Sequence, residues 1–460
     1  MCKIYVKCNE EDGIMEEKHM FSNRDLAKLL FPLIVEQLLN SLMGTADTIM
    51  VSNVGSEAIS AVSLVDSICI LVVQVFSALA AGGVIVCSQY IGKRDEKAAN
   101  RAASQVVFTV TAISVTLTVL CMMFGRPLLR LIFGSVEPEV MSAAQIYFFY
   151  MALSFPFIAL YNAGSSIFRA QKNTRTPMVI SMISNALNIV GNAVLIWGLH
   201  MGVTGAALAT LGSRMFCAIV VLWYLRKPDN LICVRNYRSI RPDFSLIKRI
   251  LAIGVPSGVE NGMFQFGKLA IQSTVSTLGT TAIAAQAMTN IMENVNGVGA
   301  VGVGIGLMTV AGQCMGAGRK DEARYYIKKL TVIAEVTIIV SCLAVFLITR
   351  PVTILGGMEK ESADLCVYMV GWITIVKPIS WTLSFIPAYG MRAAGDVKFS
   401  MIVSCITMWL CRVSLCVVLC RMFGFGPIAV WIGMFVDWTV RAVIFTLRFR
   451  SGAWAKQRVV

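Results

Sequence analysis

Apolar residues in this chain come in long runs rather than in alternation with polar ones. The stretches "TVTAISVTLTVLCMMF" (109–124) and "AIVVLWYL" (218–225) contain no charged residue. Crossing the hydrocarbon of a bilayer takes about 20 helical residues. Backbone in lipid must satisfy its hydrogen bonds inside helices or a closed barrel. Twelve runs of suitable length predict membrane helices at 29–52, 59–88, 103–124, 143–167, 177–199, 204–225, 248–277, 282–311, 328–348, 365–388, 400–420 and 426–447. The expected fold is therefore all-α and integral to a membrane.

The two halves of the pattern repeat. Shifting the chain by 224 residues sets "PLIVEQ" (32–37) on "PSGVEN" (256–261), so Pro32 meets Pro256 and Glu36 meets Glu260. The same shift sets "VGSEAISA" (54–61) on "LGTTAIAA" (278–285) and "SQYIG" (88–92) on "GQCMG" (312–316). Pro156 and Arg169 face Pro378 and Arg392 at shifts of 222 and 223. Six spans per half is an even number, so both halves enter the membrane in the same sense. That arrangement predicts two six-helix lobes related by a pseudo-two-fold axis along the membrane normal. The boundaries follow: a leader at 1–28, an N-lobe at 29–225, a linker at 226–247, a C-lobe at 248–447 and a tail at 448–460. Facing duplicated lobes are a common way to enclose a transport cavity.

Composition supports a membrane protein. Of 460 residues, 57% are apolar and 14% charged, with a mean hydropathy of +0.72, against about 45–50% and 25% in soluble domains. The net charge of +14 raises the question of nucleic acid, and the positions of the charges answer it. On the twelve-span map the even-numbered loops hold about 21 Lys and Arg and the odd-numbered loops about 5. Basic loops stay in the cytoplasm. Both termini are thus expected inside a multi-pass cell membrane protein, with the lipid bilayer and small molecules as partners, no nucleic acid, and a monomeric state. The leader holds several acids and lysines but no apolar signal core. The 14 cysteines form no C-x-x-C pair and read as reduced, mostly buried thiols, not metal ligands.

Two motifs mislead. Gly297, Gly299 and Gly302 match G-x-G-x-x-G, with Asp321 about twenty residues on. A dinucleotide site needs a strand before the first glycine, whereas 282–295 reads as an apolar helix, and Gly304 and Gly306 continue the series. Small residues that let helices approach are the better reading. "GMFQFGKL" (262–269) nearly matches a phosphate loop but ends in Leu269 where Ser or Thr should hold magnesium. His19 and His200 lie outside the apolar runs, which excludes intramembrane histidine chemistry. The chain lacks G-x-S-x-G and H-E-x-x-H as well. It is not expected to be an enzyme, and no cofactor is expected.

Ionisable residues inside spans cost about 2.5–3.5 kcal/mol each at the helix centre, so each is a candidate. Glu36, Asn40, Met43 and Asp47 follow steps of four, three and four in the first helix. At 100° per residue Glu36 and Asp47 lie about 20° apart on one face. Ser181, Asn185, Asn188 and Asn192 repeat that spacing in the fifth helix. The second half offers Glu260, Lys268, Asn290, Glu293, Glu335 and Asp437, with Lys268 two turns beyond Glu260 and Glu293 facing it from the next helix. A neutralised structural pair and a substrate site both fit those residues. Arg214, Lys377, Arg412 and Arg441 read as basic residues snorkelling near span ends. Lys377, next to Pro378 well inside its span, fits that least.

"GTADTIMVSNVGSEAISAVS" (44–63), "SQYIGKRDEKAA" (88–99), "FRAQKNTRTPM" (168–178) and "GVTGAALAT" (202–210) together resemble the multidrug and toxin extrusion (MATE) family over nearly the whole chain. The resemblance implies a V-shaped pair of lobes exporting organic cations in exchange for H⁺ or Na⁺. It places ion coupling at Asp47, Asn188, Asn192 and Glu36, with Na⁺ possible at Asp47 and Asn188. Asn192 stands where several members have an aspartate, Met263 where members often have a glutamate, and Trp381 near an aspartate of some members. Asn40, Asn185, Glu260, Lys268 and Glu293 are the expected cavity residues. A flippase for lipid-linked precursors, of the same superfamily, is the rival reading. It would need a strongly cationic cavity, and only Lys268 and Lys377 are expected to sit deep.

Overall fold

The computed structural model describes residues 19–460 other than 53, 135, 236, 238, 239 and 458; the side chains of 42–49, 52 and 56 also lie outside the described set. Among the described residues the chain forms twelve long helices and no strand. They are α1 (Asn23–Ser52), α2 (Ser56–Gly92), α3 (Glu96–Phe133), α4 (Pro138–Ala170), α5 (Arg175–Gly198), α6 (Gly202–Leu225), α7 (Phe244–Val275), α8 (Thr280–Gly316), α9 (Lys320–Leu355), α10 (Lys360–Ala393), α11 (Val397–Arg421) and α12 (Ile428–Ser451). Ten are long and apolar enough to cross a membrane; α1 and α7 fall outside that count. In α7 the reason is visible, since Lys248, Arg249, Glu260 and Lys268 dilute its apolar residues.

The apolar runs lie on these helices, which extend beyond most of them because polar flanks are capped rather than broken. Asp95 accepts from the Ala98 N–H at 2.9 Å ahead of α3, and Asp243 accepts from Ser245 and Leu246 at 3.1 and 3.3 Å ahead of α7. At α12 the run instead begins before the helix, because Gly426 has φ +64° and Pro427 follows it. Helices α5 and α11, the fifth of each half, both contain a π turn, at Ala193–Gly198 and Met408–Val413. Such turns rotate the following side chains relative to a regular helix.

The six-plus-six repeat is visible atom by atom. Gly55 and Gly279, at the starts of α2 and α8, both have positive φ, +144° and +91°, which a side chain would strain. Gly82 of α2 leaves so little room that a Cβ would lie 2.7 Å from the Ile250 carbonyl of α7. Gly306, its partner in the repeat, packs the same way against Leu29, Leu30 and Leu33 of α1. The lobes α1–α6 and α7–α12 thus meet through α1 on α8, α7 on α2, and α2 on α8 at the axis. Gly302, Gly304 and Gly306 fill close approaches within α8, to Ile34, Tyr389 and the α1 leucines, so helix packing accounts for the glycine run.

One end of the lobe interface is sealed. There Gly92 and Gly316 bring the ends of α2 and α8 into backbone contact. Gln89 donates to the Ala393 carbonyl at 2.7 Å, and its repeat partner Gln313 donates to the Ala170 carbonyl at 2.8 Å, each reaching into the opposite lobe. The segment before α1 crosses to α9: the Phe21 N–H donates to the Tyr326 hydroxyl at 2.8 Å, and Lys329 donates to Asn23 at 2.6 Å. The inter-lobe segment packs on the N-lobe, where the Cys233 N–H donates to Asn100 at 2.7 Å and the Tyr237 hydroxyl to the Leu222 carbonyl at 2.8 Å. The tail folds back on the C-lobe through Trp454, stacked on Phe449, and a two-pronged Arg448–Asp396 pair.

Candidate functional site: a cavity between the lobes

Away from the seal the lobes part around a cavity of about 930 Å³. Its N-lobe wall is Gln37, Asn40 and Ser41 of α1. Its C-lobe wall carries Phe264 and Lys268 of α7, Glu293 of α8, Trp381, Phe385 and Tyr389 of α10, Arg412 of α11, and Trp438 of α12. Pro378 and Pro387 lie within α10, the helix that presents three of those rings. Trp381 and Phe385 stack at 4.9 Å, giving the cavity a flat aromatic surface. A smaller space of about 200 Å³ shares Phe264, Lys268, Phe385 and Tyr389 and runs to Glu260 and Arg392.

The expected residues separate into three environments. Glu36 is 1% exposed and accepts from Arg169 at 2.8 Å and from the Tyr161 hydroxyl at 3.2 Å. Glu260, its repeat partner, accepts from Arg392 at 2.6 Å. These two pairs occupy equivalent places in the two lobes and hold the fourth helix of each half to the first. Such a buried pair, once one partner is removed, leaves an uncompensated charge.

The asparagine stripe forms the second environment. Asn40 accepts from Ser181 at 2.9 Å, linking α1 to α5 beside the cavity. Asn188 donates to Thr210 at 3.3 Å and accepts from Asn192 at 3.1 Å. The Asn185 amide nitrogen is buried without a hydrogen-bond partner among the described residues. Asn192 also borders a separate N-lobe cavity of about 440 Å³, together with Asp66, Tyr147, Thr210 and Arg214. The side chains of Met43 and Asp47 lie outside the described residues. Asp66, which receives the Tyr147 hydroxyl at 3.4 Å, was not among the expected candidates. A lone acid inside the second apolar run was the signal that could have found it.

The third environment is the charged C-lobe interior. Lys377 is fully buried and donates to the Glu293 carboxylate at 2.7 Å and to the Glu293 carbonyl at 3.1 Å; Asn296 also accepts from it. Its ammonium also lies 5.3 Å from the Trp381 ring. Arg412 and Arg441 do not snorkel, which corrects the expectation for them. They are 2% and 1% exposed and share one carboxylate, Asp437, at 2.8 and 2.9 Å. The π turn of α11 and the close fit of Gly433 against the Arg412 backbone turn that guanidinium inward. Arg214 is half-buried and donates to Ser154 at 2.7 Å.

A family model described as MatE matches the chain twice, at residues 32–194 and 256–418, the two windows being offset by the same 224 residues as the internal repeat. The chain belongs to the MATE family. MATE proteins are membrane transporters rather than enzymes, and several of the relatives are named for multidrug resistance. The probable multidrug resistance protein NorM of Thermotoga maritima is 28% identical over 450 residues, covering 95% of this chain and 94% of the relative. The uncharacterized transporter YisQ of Bacillus subtilis is 25% identical, covering 94% of this chain and 95% of YisQ. Among solved structures, an outward-facing MATE transporter of the MOP superfamily superposes with a TM-score of 0.88 at 21% identity, covering 94% of this chain and 96% of the other. That likeness concerns the MATE fold.

Proposed function

We propose that this MATE protein is a secondary antiporter that exports amphiphilic, cationic small molecules in exchange for H⁺ or Na⁺ by alternating access. The observation that carries the reading is an aromatic cavity between two lobes that are sealed together where α2 and α8 end. Basic loops cluster at the sealed end, which supports a cytoplasmic seal, cytoplasmic termini and a cavity open to the outside of a cell membrane. Domain limits at 29–225 and 248–447 fit the same scheme, with a monomer as the working unit.

A coupling site in the N-lobe is supported by Asp66, Asn192 and Thr210 around one cavity, with the Asn188 side chain behind them. Asp47 remains part of this proposal as the first-helix acid. A carboxylate there binds H⁺ or Na⁺ in competition with the amine of a substrate, since each offsets the same charge. Either ligand shifts the lobe equilibrium only by its differential affinity for the two states. The flippase reading gains from the deep arginines but has no observation pointing to a lipid.

The purified protein in proteoliposomes is expected to move ethidium against an imposed Na⁺ or pH gradient, and the effective gradient names the ion. Asp66→Asn should lower gradient-driven transport on the order of tenfold, the scale of one charge-assisted contact. Ethidium movement indifferent to both gradients would remove the antiport reading. Full coupling in the Asp66→Asn protein would remove that residue from it.

A further inference from the structure

Around the C-lobe wall the acids and cations do not balance. Glu260 is taken by Arg392, and Glu293 by Lys377. Asp437 is shared by Arg412 and Arg441. One guanidinium of that triad is therefore in excess. Lys268 makes no hydrogen bond, ion pair or ring contact among the described residues; it feels the charge of Glu293, which is already bonded to Lys377, and it borders both the large cavity and its smaller extension. Glu335, the remaining C-lobe acid inside a span, borders none of these spaces. Across the cavity the described α1 wall is neutral, with Gln37, Asn40 and Ser41.

Lys268 is exposed to this space, and an anion brought against it exchanges water for a charge-assisted partner. Lys268 offers a compact ammonium with free donors, and Arg412 lies behind it on the same wall. Beside them, the stacked Trp381 and Phe385 rings present a face to a planar body. A carboxylate held 2.7–2.9 Å from the ammonium would be a charge-assisted contact of ordinary geometry.

We propose that Lys268 and the cationic C-lobe wall form an anion subsite, which takes the carboxylate of an aromatic substrate whose flat body lies on Trp381 and Phe385. The inference rests on the transporter reading and narrows its substrate class to flat aromatic molecules that carry a carboxylate.

A free-acid rhodamine and its methyl ester share one xanthene body and differ in the carboxylate, so they isolate this contact. Binding to the full-length protein in detergent is read by fluorescence anisotropy, and gradient-driven uptake is read in proteoliposomes. The free acid is expected to bind more tightly than the ester. Lys268→Gln should cut that acid-over-ester ratio about tenfold, the scale of one charge-assisted hydrogen bond, and Lys268→Arg should restore most of it. A wild-type protein without preference for the acid, or a ratio untouched by Lys268→Gln, overturns the subsite. Acid-selective binding without gradient-driven uptake keeps the subsite and overturns the antiport reading instead. Lys268-dependent movement of a labelled anionic phospholipid between leaflets, with no preference between the rhodamines, overturns the small-molecule assignment in favour of a lipid phosphate.

Discussion

Asp437→Asn is expected to destabilise the C-lobe by about 3–5 kcal/mol, the cost of stranding a buried charge, and to lower both the thermal midpoint and the amount of protein in the membrane. The carboxylate is fully buried and is the counter-ion of Arg412 at 2.8 Å and of Arg441 at 2.9 Å. Removing it leaves two guanidiniums facing each other in a space lined by Phe264 and Phe385. Arginine does not lose its proton to escape such a site. The aromatic faces offset part of the charge, but a cation–π contact contributes only about 0.5–2 kcal/mol.

The sign of the imbalance makes the prediction specific. Arg441→Met removes one of two cations and leaves Asp437 with Arg412 as a neutral pair, so its effect should be much smaller than that of Asp437→Asn. Combining Asp437→Asn with Arg412→Gln should recover part of the loss, because contacting residues couple by about 0.5–3 kcal/mol. Thermal unfolding of the four purified proteins in one detergent measures all of this. Equal losses from Asp437→Asn and Arg441→Met would contradict a shared counter-ion.

How far the sequence reached depended on whether the relevant distance ran along the chain or between helices. The twelve spans were legible because lipid demands long apolar helices, and the repeat because matching residues perform matching tasks. Glu36 and Glu260 could be paired by their shift of 224 and then proved to hold Arg169 and Arg392, which the same comparison had also matched. Helical spacing could not say which acid met which base. Lys268 shares a side of α7 with Glu260 and does feel the charge of Glu293, but the bonded partners of those acids are Arg392 and Lys377. Spacing alone does not show that Arg412 turns inward rather than snorkelling. The π turn at Met408–Val413 changes its direction, and nothing in the composition of that segment announces the turn. Asp66 is the lone acid of its run, with only Ser63 as a polar neighbour three residues before it, and the groups that complete its surroundings, Asn192, Thr210 and Arg214, come from other helices.

Gly316→Ala should abolish transport while leaving the folded protein in the membrane, and the same holds for Gly92→Ala. A Cβ on Gly316 would collide with the Gln89 carbonyl, and one on Gly92 with that of Gln313. In both cases the obstacle is backbone, which cannot rotate away as the tip of a side chain can. The helices would have to separate, and with them the Gln89–Ala393 and Gln313–Ala170 hydrogen bonds of 2.7 and 2.8 Å that tie each lobe to the other. Overpacking of this kind costs about 1–3 kcal/mol or more. The penalty falls only on the state in which this end is closed. A lobe arrangement parted here has room for both methyl groups. Since about 1.4 kcal/mol is a tenfold change in an equilibrium, a 3 kcal/mol penalty on one state disfavours it by roughly a hundredfold, and a transporter confined to one state does not cycle. Amide hydrogen exchange checks the claim directly. Peptides spanning 88–95 and 309–319 should exchange faster in the alanine proteins, with the thermal midpoint close to that of the parent. Unchanged exchange together with normal transport would mean that the seal does not depend on these two glycines, and that the lobes close through some other contact.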